Sequence, residues 1–455
     1  MQEGLHKIVP TDDTIVAIST PPGRSGIGVV RISGSNSNRI AEKFLKVRSP
    51  LVSRRVSKGQ CLDEEGIPID EVLATLFKSP NSYTGEDMLE LSAHGNPLTL
   101  QRIVVTVCAA GARLATPGEF TMRAVLNGKM DLLQAEAVRS FVDAQTAFQA
   151  RSAMLQMGGA LSNRLTPAKD KLVDIIARLE AGIDFAEDDI SVPNSHDIAV
   201  EVDRIRCRLA EIQATYAVGR ALFHGVRITI TGKPNVGKSS LFNQFVGLDR
   251  AIVTEIPGTT RDVLSETVSM DGIPLRFSDT AGIRQATDTV ERIGIQKTME
   301  EASEADVVLI VLDASSPLDS EDNDILARFS ATTHIVVLNK CDLNNCQPKT
   351  TTNAVMISAL TGSGMEDLRN AIRQRVNCEV MELSNGVLST ARQADTISKS
   401  VEALNKACTA LENGLPHEMV LLDIYDALRE LNELTGEVLT DDILGRIFST
   451  FCVGK

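Results

Sequence analysis

The spacing of apolar residues changes three times along this chain. Up to about residue 120, short apolar runs alternate with turns rich in Gly and Pro. Residues 14–19 and 28–32 have strand length, and they bracket the loop Thr20-Pro21-Pro22-Gly23-Arg24-Ser25-Gly26. Residues 88–92 form another short alternation, with the period of two that a half-buried strand requires. From about 121 to 224 the period lengthens. Leu172, Ile175, Ile176, Leu179 and Ile183 recur at three- and four-residue steps, which predicts an amphipathic helix. Residues 198–222 repeat the pattern with Val202, Ile205, Leu209 and Ile212.

A strand-helix alternation follows. Strands are predicted at 226–230, 275–277, 307–312, 335–338 and 355–357, and helices at 238–245 and 365–376. Such alternation implies a parallel sheet covered on both faces. After about 380 the helical period returns, through Val401, Leu404 and Leu411, then Val420, Leu421, Ile424, Leu428 and Leu431. Helix before and helix after an intact α/β unit predicts an insertion, with the two helical pieces packing as one domain.

Composition narrows the classes. The chain has 455 residues, 43% apolar and 23% charged, enough to bury several cores and unlike a disordered chain. Its formal net charge of −14 repels nucleic acid as a whole, so any RNA contact needs a local basic patch or a basic partner. Trp is absent and Tyr occurs three times, which argues against a broad base-stacking platform. The eight Cys are scattered, with no CxxC pair and no zinc-ligand spacing, the pattern of a reduced cytoplasmic protein. The first ten residues lack the character of a signal or transit peptide. The strongest apolar run, 307–312, is far short of a membrane span.

Four motifs carry chemistry. Gly232-Lys233-Pro234-Asn235-Val236-Gly237-Lys238-Ser239 fits G-x-x-x-x-G-K-[ST] after a strand and before a helix, with Ser240 in the first helical turn. Backbone N–H groups of such a loop face phosphates, Lys238 reaches the β/γ oxygens, and the Ser239 hydroxyl suits Mg²⁺. Asp279-Thr280-Ala281-Gly282 follows the predicted strand 275–277, where a carboxylate can hold the Mg²⁺ water shell. Asn339-Lys340-Cys341-Asp342 ends another strand, and Asp342 can accept from guanine N1–H and the 2-amino group together. Adenine lacks that donor pair, and the unpaired carboxylate then disfavours it by on the order of 10⁴-fold or more. Ser358-Ala359-Leu360 is placed to close over the base. Each motif alone is weak; four in order, each at a strand end, predict GTP and GDP binding. The fold expected is multidomain α/β plus all-α. It comprises an α+β N-terminal domain (1–120), a discontinuous helical domain (121–224 and 379–455) and an inserted Ras-like P-loop GTPase domain (225–378).

In small GTPases a Gln after the DxxG motif orients the attacking water. Ile283 stands there in this chain and has no polar group. The segment Thr254-Glu255-Ile256-Pro257-Gly258-Thr259-Thr260 suggests a substitute. The Asn235 side chain, the Thr259 hydroxyl and the backbone carbonyls of Thr254 and Ile256 can enclose a monovalent cation beside the phosphates. Thr260 then meets Mg²⁺ and the γ-phosphate. Glu291 is either a carboxylate that positions water or a solvated one.

The chain also resembles the bacterial and organellar tRNA-uridine modification GTPases of the MnmE (TrmE) family, nearly end to end. The resemblance rests on Thr20–Arg24 through Arg31-Ile32-Ser33-Gly34, on Tyr83-Thr84-Gly85-Glu86-Asp87 through His94-Gly95, on Pro117-Gly118-Glu119-Phe120 through Lys129-Met130-Asp131-Leu132, and on the terminal Cys452-Val453-Gly454-Lys455. It implies a homodimer formed through the N-terminal domain and K⁺-dependent pairing of G domains. It also implies work with an MnmG-type flavoprotein, which carries the FAD, at C5 of the wobble uridine of certain tRNAs. By the same resemblance Asn235, Thr254, Ile256 and Thr259 match the potassium site, Ser239 and Thr260 the Mg²⁺ ligands, and Glu291 the catalytic carboxylate. Arg31, Glu90, Lys129 and Lys455 match contacts to a reduced folate such as 5-formyl-tetrahydrofolate. Pro257 and the extra residues before Asp13 depart from the family pattern.

Read from the residues alone, Arg31 and Lys129 are also compatible with surface charges. Cys452 is a candidate catalytic thiol or a residue that only shapes a cavity. The dense basic stretches, Arg54, Arg55 and Lys58, and Arg204, Arg206 and Arg208, are solvated faces or tRNA contacts. A ribosome-assembly GTPase and a folate-dependent one-carbon enzyme with a regulatory G domain are the competing readings. The tail and the N-terminal stretches favour tRNA modification over both.

Overall fold

The structure is a computed structural model that describes residues 13–184, 194–248, 266–277, 305–343, 354–376 and 386–454. Packing divides the chain into two compact units, residues 1–139 with 431–455, and residues 140–430.

In the first unit, β1 (Ile15–Ile18), β2 (Ser25–Ser33), β3 (Leu45–Val47), β4 (Val56–Leu62), β5 (Pro68–Phe77), β6 (Met88–Gly95) and β7 (Arg113–Leu114) form one sheet. Their order is β3-β4-β5-β6-β2-β1-β7. Neighbours are antiparallel except β1 and β7. Val30, Ile32, Leu89 and Leu91 turn to one face, where they share a core with Ile40, Phe44, Leu100 and Ile103 of the helices Ser37–Phe44 and Pro97–Ala109. The sequence pattern left β3 to β5 undivided for a physical reason. The buried positions of β4 are Gly59 and Cys61, while Val56 and Leu73 are exposed, so the apolar alternation is blurred.

A buried ion network lies beside this core. The Arg123 side chain is 3% exposed and that of Glu119 1%. Arg123 donates to Asp13 (2.6 Å), Glu119 (2.9 Å) and Glu86 (3.1 Å). Arg113 donates to both Glu119 oxygens (2.6 and 2.8 Å), and Glu86 accepts from the Ser33 hydroxyl (2.7 Å). Arginine suits this position because its planar fork serves several carboxylates at once.

The helix Asp441–Phe448 packs on the helix Glu119–Leu126 through Leu444, Ile447, Phe448 and Val125. The helix ends at Phe448, yet Phe451 is still buried in the same cluster. The tail beyond it is tied down. The Cys452 carbonyl accepts from the Gly118 N–H (3.3 Å), and the Gly454 carbonyl accepts from the Ser19 hydroxyl (3.0 Å).

In the second unit, the helices Ala147–Met157, Ala160–Asp184, Ser195–Ala214 and Tyr216–His224 precede a six-stranded sheet, and Ala391–Glu412 and the helix His417–Thr435, as far as Glu430, follow it. Ser195–Ala214 and Ala391–Glu412 lie against each other, with Ile198, Val202, Leu209, Ile397 and Leu404 fully buried. Segments from either side of the sheet therefore share one helical layer, and the α/β unit is an insertion. The predicted segment 198–222 is two helices, parted at Thr215. Its hydroxyl donates to the Ile212 carbonyl and accepts from the Leu388 N–H.

The inserted sheet contains β8 (Val226–Thr231), β9 (Glu266–Met270), β10 (Ile273–Phe277), β11 (Val307–Asp313), β12 (His334–Asn339) and β13 (Val355–Met356), in the order β13-β12-β11-β8-β10-β9. All run parallel except β9. Val307, Leu309 and Val311 face one core and Val308, Ile310 and Leu312 another, so both faces of β11 are buried. The antiparallel edge strand β9 was absent from the sequence reading. Its signal is the Asp271-Gly272 pair, both at positive φ (52° and 88°), the chemistry of a two-residue hairpin turn.

Burial works to raise the Glu119 carboxyl, but hydrogen bonds from Arg113, the Thr116 amide and Arg123 outweigh it and hold it at about 2 instead of 4.5. A depressed carboxylate contributes its full stability above the unfolded value of 4.5 and loses it as pH falls towards 2. Glu119→Gln should therefore lower protection of the β1 and β2 amides at neutral pH by on the order of 3 kcal/mol, since it leaves buried guanidinium charge uncompensated. It should also flatten the acid-side loss of protection seen in the unsubstituted chain. Hydrogen exchange checks both; unchanged protection at neutral pH would mean that the network contributes no stability.

Candidate nucleotide-binding site

The loop after β8 is shaped by steric exclusion. Gly232 sits at φ 146° and Gly237 at φ 99°. A Cβ on Gly232 would collide with the Val311 carbonyl oxygen of β11, and one on Gly237 with the Asn339 side-chain amide. Asn235 also has positive φ (61°), a conformation Asn tolerates better than most residues. The helix Lys238–Leu248 begins at once, so its free N–H groups and positive dipole end border the loop. The Lys238 ammonium donates to the carbonyls of Gly232 and Lys233, 2.7 Å each, which holds it across the loop. Ser239 and Ser240 occupy the first turn, half-buried and exposed respectively.

β12 ends at Asn339, which is 2% exposed. Its amide donates to the Val236 carbonyl (2.8 Å) and accepts from the Ala359 N–H (2.9 Å). One side chain thus joins the phosphate loop to Ser358-Ala359-Leu360. Gln244 adds a second link by donating to the Ala359 carbonyl (3.0 Å). Ser358 is fully buried, Leu360 is exposed, and Asp342 is exposed at the near side of this segment. Lys340, at φ 68°, pairs with Asp313 at the end of β11 (2.6 Å). Burial works to raise the Asp313 carboxyl, but hydrogen bonds from Lys340 and Ser315 hold it below the usual carboxylate range.

Sequence reasoning missed Asp313 and Gln244. Asp313 carried a signal, since it ends the most apolar strand of the sheet. Gln244 carried none, because only folding brings it to Ala359. Through Asn339 the loop residues Asn235, Val236, Gly237 and Lys238 lie on the same side of the sheet as Ala359. Thr254, Glu255, Ile256, Pro257, Gly258, Thr259, Thr260, Asp279, Thr280, Ala281, Gly282, Glu291 and Lys455 lie outside the described residues.

A second polar site belongs to the first unit. Arg31 and Glu90 are register partners on β2 and β6. The Arg31 guanidinium donates twice to one Glu90 oxygen, at 2.8 and 3.0 Å. It also lies 5.3 Å from the Tyr83 ring centre and 5.7 Å from that of Phe120. Lys129 donates to the Pro80 carbonyl (2.9 Å), so one loop, residues 80–85, touches both cations. The Cys452 side chain is exposed.

A family description, "MnmE helical domain", matches residues 132–452, and another, "GTP-binding protein TrmE N-terminus", matches residues 14–129. The chain is 47% identical to the tRNA modification GTPase MnmE of Koribacter versatilis, over 98% of this chain and 99% of that one. It is 42% identical to the tRNA modification GTPase MnmE of Aquifex aeolicus, over 97% and 100%. The same protein of Thermotoga maritima is 42% identical, over 97% and 100%.

Removing the Asn339 amide leaves a buried carbonyl and a buried N–H without their partner, a cost of roughly 1–3 kcal/mol for each. Asn339→Ala should loosen the phosphate loop and the base-side loop together and weaken GDP binding by on the order of 30-fold or more. Titration with a fluorescent GDP analogue checks this. Affinity within twofold of the unsubstituted chain would show that the two loops hold their places without the tie.

Proposed function

This chain belongs to the MnmE family of tRNA modification GTPases, and we propose that it hydrolyses GTP with K⁺ stimulation to drive modification at C5 of the wobble uridine (position 34) of certain tRNAs. The reading extends to an MnmG-type flavoprotein that carries FAD, and to an aminomethyl or carboxymethylaminomethyl product built from a folate-derived one-carbon unit. The observation that carries it is the Asn339 tie, which gathers phosphate loop, base-side loop and Asp342 at adjoining strand ends. Asp342 reads the guanine edge, Lys238 and the loop N–H groups hold the phosphates, and Asn235 through Ser240 line the phosphate end.

Mg²⁺ is held by Ser239 and Thr260. The fit at Ser239 is good, since a hydroxyl in the first turn beside Lys238 offers the hard oxygen that Mg²⁺ prefers. K⁺ is held by Asn235, Thr254, Ile256 and Thr259. Asn235 supports this, because its side chain is exposed and no described residue hydrogen-bonds it. When bound, the cation supplies positive charge beside the phosphates, the service an arginine finger gives elsewhere. Glu291 orients the attacking water.

The working organisation is an N-terminal folate-binding and dimerisation domain (1–120), a helical domain (121–224 and 379–455) and a G domain (225–378) that pairs transiently with its copy. A reduced folate such as 5-formyl-tetrahydrofolate is bound by Arg31, Glu90, Lys129 and Lys455. The Arg31–Glu90 pair supports this, offering a donor fork and a carboxylate side by side over two aromatic rings. The fastened tail supports a role for Cys452 in the modification chemistry. No helix among the described residues is long and apolar enough to cross a membrane. The relatives' part in tRNA modification supports a cytoplasmic location.

Two measurements test this reading. Calorimetry should show GTP and GDP binding without ATP binding, and Asp342→Asn should lose GTP affinity and gain affinity for xanthosine nucleotides. Equal binding of ATP and GTP would refute the base assignment. Turnover should be far faster in KCl than in NaCl, and Asn235→Ala should abolish that difference while GTP binding stays close to that of the unsubstituted chain. Equal rates in the two salts would eliminate the cation site.

A further inference from the structure

In the second unit the helices Ala160–Asp184 and Ser195–Ala214 enclose two adjoining depressions, of about 540 and 750 Å³, that share Arg204 and Arg208. Together they make one long open groove, in a chain whose net charge is −14. Its charges divide into two kinds. Arg178 is spent on Glu201 (3.0 and 2.6 Å), Lys171 faces Asp174 (3.8 Å), and Asp203 is taken by Arg206 (2.9 and 2.6 Å). Arg204 and Arg208 are exposed, and no carboxylate of a described residue comes within ion-pair distance of either. They stand one helical turn apart, so their guanidinium groups rise from the same face.

Arg164 comes from the facing helix. It is half-buried and donates to the Gly386 carbonyl (2.6 Å). Burial first, and the positive charge of Arg208 second, pull its pKa below the usual arginine value. Arg164 and Arg208 therefore feel each other across the groove. Glu211 lines the same depression and is the opposing charge there, and it forms no ion pair with a described residue.

Clustered arginines repel, and a phosphate group is a partner that their planar fork fits. Among the described residues no aromatic side chain lines the groove, so those residues offer no platform for bases. Its apolar lining is small, Pro167, Ala168, Ala177 and Ile205, without the large anchors of a protein interface. We infer that this groove binds the sugar-phosphate backbone of the tRNA, with Arg204 and Arg208 contacting phosphates and Arg164 setting the positive field beneath them. The inference rests on the tRNA reading above and adds the surface that reading lacked. Backbone contacts position RNA and carry no sequence information, so the groove serves different tRNAs alike.

The test uses the full-length chain, fluorescently labelled tRNA and anisotropy titrations over a salt series. Arg204→Gln with Arg208→Gln changes two exposed side chains that make no ion pair with a described residue, so the fold is kept. The double variant should bind tRNA about tenfold more weakly at low salt. The slope of log affinity against log salt should become shallower by about 2, near one unit per lost phosphate contact. GTP turnover should match the unsubstituted chain. Arg204→Lys with Arg208→Lys keeps the charge and should restore most of the slope. Unchanged affinity and slope in the glutamine variant, while the unsubstituted chain binds tRNA, would overturn the groove and leave the tRNA reading intact. Loss of flavoprotein association with tRNA binding retained would also overturn it, by making the groove a protein interface. Absence of tRNA binding by the unsubstituted chain would bring down the tRNA reading and this inference together.

Discussion

The nucleotide site depends on one buried amide. Asn339 must donate to Val236 and accept from Ala359 at the same time, and only a side chain with both functions on one planar group does this. Aspartate would lose the donor and leucine both. The amide also determines its neighbour, because the space a Cβ on Gly237 would need is where the Asn339 nitrogen sits. A glycine in the phosphate loop and an asparagine about a hundred residues later are thus one constraint. The parallel sheet makes their meeting possible. β8, β11 and β12 run in the same direction, so the loops that follow them leave from the same edge.

The first unit has a comparable device built from charge. Arg123 gathers Asp13, Glu86 and Glu119, and Glu86 in turn holds Ser33 at the end of β2. Tyr83, three residues before Glu86, packs under Arg31 and shares a hydrogen bond with Thr121, two residues before Arg123. Removing one charge from so buried a group strands the others, which is why such networks are all-or-none. The stretches Tyr83–Asp87 and Pro117–Phe120, singled out in the sequence by resemblance, contribute Glu86 and Glu119 to this network. Their visible task in the structure is to fix the loop beside the Arg31–Glu90 pair.

The sequence pattern was legible where burial and secondary-structure period agreed. β11 shows it best: the six residues 307–312, buried on both faces, read as one apolar run, and the strand is there. The helices on either side of the insertion read equally well, since Ile198, Val202, Leu209, Leu404 and Leu411 keep the period of a single buried stripe. It failed where small or polar residues carry the inward positions, as Gly59 and Cys61 do in β4. The edge strand β9 was missed although the Asp-Gly turn stood in plain letters, because among its described side chains only Val268 and Met270 are buried.

The sequence by itself determined the family, the order of the layers and the chemistry of the phosphate and base motifs. Those depend on residue type, local spacing and the energetics of burying an apolar stripe, all of which act within a few turns of chain. Only the tertiary structure decided that Asn339 and Gln244 both secure Ala359, that Arg31 is neutralised by Glu90, and that Gly454 is fastened to Ser19. It also decided which arginines of 204, 206 and 208 are spent on carboxylates and which face a groove. These are partnerships between residues far apart in the chain, up to 435 positions for Ser19 and Gly454. A hydrogen bond or an ion pair is settled by a few ångströms of separation, and sequence distance says nothing about that until the cores have packed.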